Sequence, residues 1–227
     1  NDGTVLAPTA GGTGRWLRTG SASDIDVRWF GCVCDGSTDD TAGIIKARDY
    51  ARAFSIGHPT LFIPGDIYLS TVDLSRVSLS CTGWIRTAVG TMITVGNDSE
   101  SPRAVMVDIP RVYDGQSTLT SRATPQVRIV GKDARFRIEA GYIQIYSDGN
   151  STNAKATSYN HIDVNCCFLL EITSVNGGWN NSNYITGRIA NYKIDGSYPH
   201  NNNRFYGTIE GAGGDNGTIY FGNAVFN

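Results

Sequence analysis

Six carboxylates in the second half of the chain, Glu139, Asp148, Asp163, Glu171, Asp195 and Glu210, could supply a hydrolytic centre. Cleaving a glycosidic bond takes two carboxyls roughly 5 to 9.5 Å apart, one as acid and the other as base or nucleophile. The strand repeat that begins at Asn160 puts Asp163 and Glu210 two strand steps apart and several residues along, on the order of 15 Å. Spacing therefore brings no two together, and the catalytic residues stay unknown, with Asp163, Glu139 and Glu210 as candidates. An eliminating mechanism needs a base beside a cation that neutralises a uronate carboxylate, and His161 with Arg188 or Arg204 is the set that offers it. Sugar contact without catalysis asks only for rings that meet C–H patches and polar groups that meet hydroxyls. His161, Tyr184, Arg204, Tyr206, Arg188 and Trp179 are the candidates for that role. Trp179, between Gly177-Gly178 and Asn180-Asn181, reads either as an exposed platform in a polar loop or as a subunit packing contact.

A repeat must position these residues. Asn160-His161-Ile162, Asn183-Tyr184-Ile185 and Asn203-Arg204-Phe205 each open a stretch in which apolar residues alternate with polar ones. In a strand, alternation sends Ile162, Ile185 and Phe205 inward in one column, and Cys166, Ile189 and Ile209 inward in another. Their neighbours then form outward columns: His161, Tyr184 and Arg204; Asp163, Thr186 and Tyr206; Asn165, Arg188 and Thr208. Repeats of about twenty residues with one structural unit each are the signature of solenoids. Fifteen of the seventeen asparagines fall from Asn150 onward, which suits turns in left-handed backbone and stacked carboxamides. Asn160, Asn183 and Asn203 are accordingly expected to form a ladder.

From Leu61 to Tyr146 the pattern is almost entirely strands: Leu61 to Leu69, Val77 to Ser80, Met92 to Val95, Ala104 to Ile109, Val127 to Val130, Ala134 to Ile138 and Tyr142 to Tyr146. Residues from about Gly96 to Pro125, apart from the strand near Ala104 to Val112, read as a protruding excursion. Tyr113, Tyr142, Tyr146, Tyr192 and Tyr198 fall in or near expected loops and strand ends. Upstream, Asp35-Gly36 is a turn pair, Ser37 or Thr38 is placed to cap a helix, and Asp39 and Asp40 fall in its first turn, where the helix dipole favours carboxylates. Ala42, Ile44, Ile45, Ala47, Ala51 and Phe54 recur at three- and four-residue steps. The helix, expected over 38–54, would cover one end of a strand stack whose core and edges would otherwise be open.

The stretch Val27-Arg28-Trp29-Phe30-Gly31-Cys32, then Asp35-Gly36-Ser37-Thr38-Asp39-Asp40-Thr41, then Phe62-Ile63-Pro64-Gly65-Asp66-Ile67-Tyr68 resembles the opening segment of the pectate-lyase-like right-handed parallel β-helix family, whose usual wording is Gly-Asp-Gly-x-Thr-Asp-Asp-Thr followed by Ile-Pro-x-Gly-x-Tyr. Cys32 replaces the usual Ala, Cys34 the usual Gly, and Asp66 follows Gly65. In bacteriophage tailspikes this segment opens the receptor-binding shaft. The resemblance implies an all-β, right-handed parallel β-helix over 25–227 with a short N-terminal capping helix, preceded by a neck or linker over 1–24 in which Gly11-Gly12-Thr13-Gly14 leads to Trp16 as an anchor. It further implies a homotrimer, contact with other virion tail proteins, residence in the virion after synthesis in the host cytoplasm, and a bacterial surface polysaccharide, capsule or lipopolysaccharide, as partner. Three roles fit such a scaffold: host recognition, active depolymerisation by a hydrolase or lyase, or a purely structural shaft.

Composition narrows the remaining classes. With 19 basic and 21 acidic residues the formal charge is −2, and without a Lys/Arg run a nucleic-acid partner is not expected. No apolar window of about eighteen residues is present, so membrane insertion is not expected either. Cys32, Cys34, Cys81, Cys166 and Cys167 lack the spacing of a zinc site, and His58, His161 and His200 are scattered, so buried free thiols and neither metal nor cofactor are expected. The chain begins at Asn1 and reads as a piece of a longer polypeptide.

Overall fold

A computed structural model describes residues 5–6, 16–17, 24–53, 59–100, 104–196, 200–211 and 218–221. The described residues are mostly β, in parallel sheets, with one α-helix. In chain order the elements are β1 (Val5–Leu6), β2 (Trp16–Leu17), β3 (Asp24–Asp26), a 3-10 turn (Val27–Phe30), α1 (Thr41–Arg52), β4 (Thr60–Ile63), β5 (Ile67–Tyr68), β6 (Val72–Ser75), β7 (Ser78–Cys81), β8 (Ile85–Arg86), β9 (Ile93–Gly96), β10 (Val105–Ile109), β11 (Val112–Tyr113), β12 (Val127–Val130), β13 (Ala134–Glu139), β14 (Tyr142–Asp148), β15 (Ala156–Ser158), β16 (His161–Val175), β17 (Trp179–Asn181), β18 (Tyr184–Gly196), β19 (His200–Asn201), β20 (Arg204–Ile209) and β21 (Thr218–Phe221). β1 and β2 pair antiparallel. Most of the expected neck, together with Phe54, His58 and Tyr198, lies outside the described residues.

Every other strand pairing among the described residues is parallel, and the strands fall into stacks. In the first, β3, β4, β7, β10, β13, the front half of β16, the front half of β18 and β20 follow one another. Their register lines up Ile25, Leu61, Leu79, Val107, Phe136, Ile162, Ile185 and Phe205 in one column. All are buried except Phe205, which is half-buried and packs on the core. A second stack runs through β6, β9, β12, β14 and the rear halves of β16 and β18 to β21, aligning Leu74, Val95, Ile129, Ile145, Ile172 and Ile194. β5, β8 and β11 form a short third stack, and β15, β17 and β19 a fourth. The inward side chains of the first three stacks meet in one apolar cluster, each aliphatic contributing roughly 1.5–3 kcal/mol by leaving water.

One inward column differs from its expected membership. The pairing of β16 with β18 shifts between Val164 and Cys167, so that Cys167 stands opposite Ile189, which in turn faces Ile209, in the place expected for Cys166. An extra residue in one strand of a pair moves every later side chain by one position. Gly187, at φ +125°, accepts the displacement: a Cβ there would stand 1.7 Å from the Val164 carbonyl oxygen.

The capping segment also departs in detail. The helix is Thr41–Arg52, shorter than 38–54, because the amides of Ser37 and Thr38 donate to Asp35 Oδ1 at 2.8 and 2.7 Å and close a separate turn. Neither residue caps the helix. Asp39 accepts from the Thr41 amide at 2.9 Å, while buried Asp40 turns back and accepts from the amides of Val33 and Cys34 at 2.6 and 2.9 Å. That grip holds Cys34 at φ 58°, left-handed backbone without a glycine. Gly43, Ile44, Ala47 and Ala51 form the buried stripe. Ala42 is exposed, and Gly43 replaces it because a Cβ at Gly43 would lie 2.7 Å from Cys32 Sγ. In the later part of the expected excursion, Arg122 and Asp114 form an ion pair at 2.7 Å with both side chains buried.

Candidate functional site

The outward face of the first stack is built by the strand starts. Asn160 Nδ2 donates to Asn183 Oδ1 at 2.9 Å, and Asn183 Nδ2 donates to Asn203 Oδ1 at 2.8 Å. Each carboxamide also donates to a main-chain carbonyl, of Gly131, Thr157 and Asn180 respectively, at 3.0 Å. The residue before each asparagine, Tyr159, Ser182 or Asn202, is left-handed. This repeated corner sets the phase of the strand that follows. One outward column is then Met106, Arg135, His161, Tyr184 and Arg204, and the next is Asp108, Arg137, Asp163, Thr186 and Tyr206.

Rings run obliquely across these columns. His161 and Tyr184 have centroids 5.5 Å apart, and Tyr184 stacks on Tyr206 at 5.1 Å with 29° between planes. Tyr184 and Tyr206 are 41% and 54% exposed, so the stack spends only part of its area on itself and leaves ring surface in water. An open depression of about 450 Å³ lies beside it, lined by His161, Ser182, Asn183, Tyr184, Asn202 and Arg204.

A second open groove of about 480 Å³ continues along the same face, lined by Ile109, Pro110, Arg137, Glu139, Asp163, Asn165, Gly187 and Arg188 among others. Here the structure brings together two carboxylates that sequence spacing left apart. Arg137 pairs with Asp163 in register and Glu139 with Asn165, which puts Glu139 and Asp163 one strand step and two residues from each other, on the order of 8 Å. Asp163 accepts from Thr186 Oγ1 at 3.2 Å. Glu139 is 3.1 Å from Arg111 Nε and within 3.4 Å of Asn165 Nδ2. Glu210 reaches the groove through Arg188, at 2.8 Å. Arg204 shares the depression with His161, whereas Arg188 lines the other groove. In the third expected column Arg188 faces Thr208, but Asn165 falls within the register shift.

The remaining candidates are elsewhere. Trp179 does not sit in a loop: it opens β17 in the fourth stack, pairs with Ala156, is half-buried, and has the Lys132 ammonium 5.1 Å above its ring. A half-buried ring in a paired strand, with a cation over one face, departs from the polar loop that its flanking glycines imply. Glu171 lies on the second stack, buried, accepting from Tyr142 Oη, from Gln144 Nε2 at 2.7 Å and from Lys193 Nζ at 2.7 Å. Burial opposes its ionisation, but these donors outweigh burial and hold the carboxyl below its usual value. Lys193 also reaches Asp195 at 2.9 Å, and Asp148 accepts from Tyr146 and Asn176 at 3.1 and 3.0 Å. These are interlocked surface and core polar groups. Tyr142, Tyr146 and Tyr192 lie within strands, and Tyr192 stacks on Phe205 at 5.8 Å.

Cys32, Cys34, Cys81 and Cys167 are free thiols. Burial, then the Asp40 charge, pushes Cys32 up to about 12 and Cys34 up to about 11, so neither is a ready thiolate at neutral pH. Among the described residues no group of three or more His, Cys, Asp or Glu is gathered to hold a metal ion, and no helix is long and apolar enough to cross a membrane.

No family model matches the chain. A Klebsiella pneumoniae protein described as "Uncharacterized 65.4 kDa protein in cps region" is 27% identical over 135 residues, covering 57% of this chain and 22% of that protein. The match thus spans about a fifth of the length of that curated relative. Among solved structures, one described as a "putative glycosyl hydrolase" from Parabacteroides merdae is similar at 16% identity and a TM-score of 0.37, covering 90% of this chain and 98% of that one.

Proposed function

We propose that the chain binds a bacterial surface polysaccharide through the outward face of the first strand stack. The observation that carries this reading is the series His161, Tyr184 and Tyr206, exposed rings in mutual contact beside two open depressions lined with arginine, carboxylate and carboxamide groups. Sugar rings offer alternating apolar and hydroxyl surfaces, and such a face presents partners for both. The similarity to a protein encoded in a capsule region supports a capsular glycan.

In this reading the stacks are the faces of one right-handed parallel β-helix. Parallel strands joined through crossovers take the right-handed path almost without exception, and α1 covers its first turn. Resemblance of residues 27 to 68 to the start of tailspike shafts supports placing the chain in a phage tail, as part of a homotrimeric spike or fibre in the virion that contacts other tail proteins and recognises its host. The test is binding of purified capsular polysaccharides and lipopolysaccharides by the full chain and by Tyr184→Ala and Tyr206→Ala. Unaltered affinity in both variants would remove this face from the interaction.

A second reading, depolymerisation, is favoured by one observation: Glu139 and Asp163 line the same groove. Their strand positions, on the order of 8 Å apart, leave room for inverting hydrolysis, in which one carboxyl protonates the glycosidic oxygen while the other takes a proton from the water that attacks the anomeric carbon. Release of reducing ends by the chain, abolished in Glu139→Gln and in Asp163→Asn, would establish it. Persistent release in both variants would exclude this pair.

A further inference from the structure

We infer that the glycan read by this face is acidic, with its anionic groups, carboxylate or phosphate, engaged by Arg135 and Arg204. The inference rests on the binding face proposed above and specifies the chemistry of its ligand.

Several cations near this face are already satisfied. Arg137 is paired with Asp108, Arg111 with Glu139 and Arg188 with Glu210. Arg135 and Arg204 are exposed and have no ion-pair partner among the described residues. Both belong to the same column, Met106, Arg135, His161, Tyr184 and Arg204, which contains no carboxylate. The acidic positions nearest in register, Asp108 and Asp163, stand in the adjoining column, where Asp108 pairs with Arg137 and Asp163 accepts from Thr186.

Register fixes the spacing. Arg135 and Arg204 are three strand steps apart, about 14 Å along the stacking direction. Between them stand the imidazole of His161 and the ring of Tyr184. A guanidinium forks onto a carboxylate or phosphate through two parallel N–H donors, and an aromatic face meets the C–H surface of a sugar. The column therefore presents anion contact, ring, ring, anion contact in sequence. An oligosaccharide segment bearing a negative group at each end of that span satisfies all of these at once. A neutral glycan would leave both guanidiniums facing only water.

The experiment measures binding of the full chain to a panel of Klebsiella capsular polysaccharides, each native, carboxyl-reduced and chemically dephosphorylated. Variants are Arg135→Gln, Arg204→Gln, the double variant and Tyr184→Ala, each checked for native unfolding behaviour. The inference predicts that only acidic polymers bind and that binding falls with rising salt. Each Arg→Gln change is expected to weaken it about tenfold or more, as loss of a charge-assisted hydrogen bond does. Loss on carboxyl reduction assigns uronate or other carboxylate groups; loss on dephosphorylation assigns phosphate. Binding that survives both treatments and both Arg→Gln changes while Tyr184→Ala abolishes it overturns the acidic ligand and leaves the glycan face standing. Absence of binding to every polymer, or binding indifferent to Tyr184→Ala as well, overturns the glycan face and the inference with it.

Discussion

Asn160 and Asn183 face each other across 2.9 Å, the carboxamide nitrogen of one donating to the carboxamide oxygen of the other, with both side chains buried. Asn183 is the central rung, bonded on both sides and to the Thr157 carbonyl. Replacing it by alanine orphans donors and acceptors that are shut away from water, each costing about 1–3 kcal/mol. Asn183→Ala is expected to lose about 3 kcal/mol or more in urea unfolding, and Asn203→Ala, half-buried at the ladder's end, distinctly less. Equal small losses in the two would show that the ladder is incidental.

Gly187 lies where two backbones nearly touch. A methyl group there meets the Val164 carbonyl at 1.7 Å in backbone that L side chains rarely adopt. Gly187→Ala is therefore predicted to destabilise by about 2 kcal/mol or more, with Gly90→Ala, also at positive φ but in open space, as the control for backbone strain alone. Thermal unfolding of the two variants checks this, and a smaller effect at Gly187 than at Gly90 would contradict the close approach.

The Glu171 carboxyl is buried, and donors from Lys193, Tyr142 and Gln144 overcome the cost of burial to depress its folded-state value. Stability from a depressed carboxyl is present above its unfolded value, near 4.3, and is lost as pH falls through the lower folded value. Unfolding free energy measured from neutral pH downward should fall on the acid side, and Glu171→Gln should be less stable at neutral pH with a shallower acid decline. An acid limb of unchanged slope in Glu171→Gln would assign the decline to other carboxylates, such as Asp35 and Asp114, which are also depressed.

The inward column through Ile162, Ile185 and Phe205 is legible in the chain because each rung there opens with asparagine and its first residues alternate apolar with polar. The rung before it, β13, is harder to read: its corner carries Ala134 where the later rungs have asparagine, so Glu139 cannot be set against Asp163 until Phe136 is seen opposite Ile162. That missing phase is why the carboxylate pair stayed hidden. Cys166 and Cys167 are chemically identical neighbours, so nothing in their types says which one a register shift turns inward. Two-residue strands such as β8 and β11 are too short to show a period. Trp179 misleads for another reason. Its flanking glycines mark turns, but Gly178 is also pressed against the Ser147–Asp148 backbone, a long-range packing demand with no local signature. The helix start is displaced because Asp40 serves the Cys34 corner before it serves the helix.

The proposed function places the polysaccharide on the rings of Tyr184 and Tyr206. Hydroxyl-radical footprinting of the chain with and without a bound capsular polysaccharide tests it directly. Protection is expected at His161, Tyr184 and Tyr206, with Trp84, exposed just before β8 of the third stack, oxidised equally in both states. Full reactivity of Tyr184 and Tyr206 in the saturated complex, with protection centred on Trp84 or another face, would contradict it.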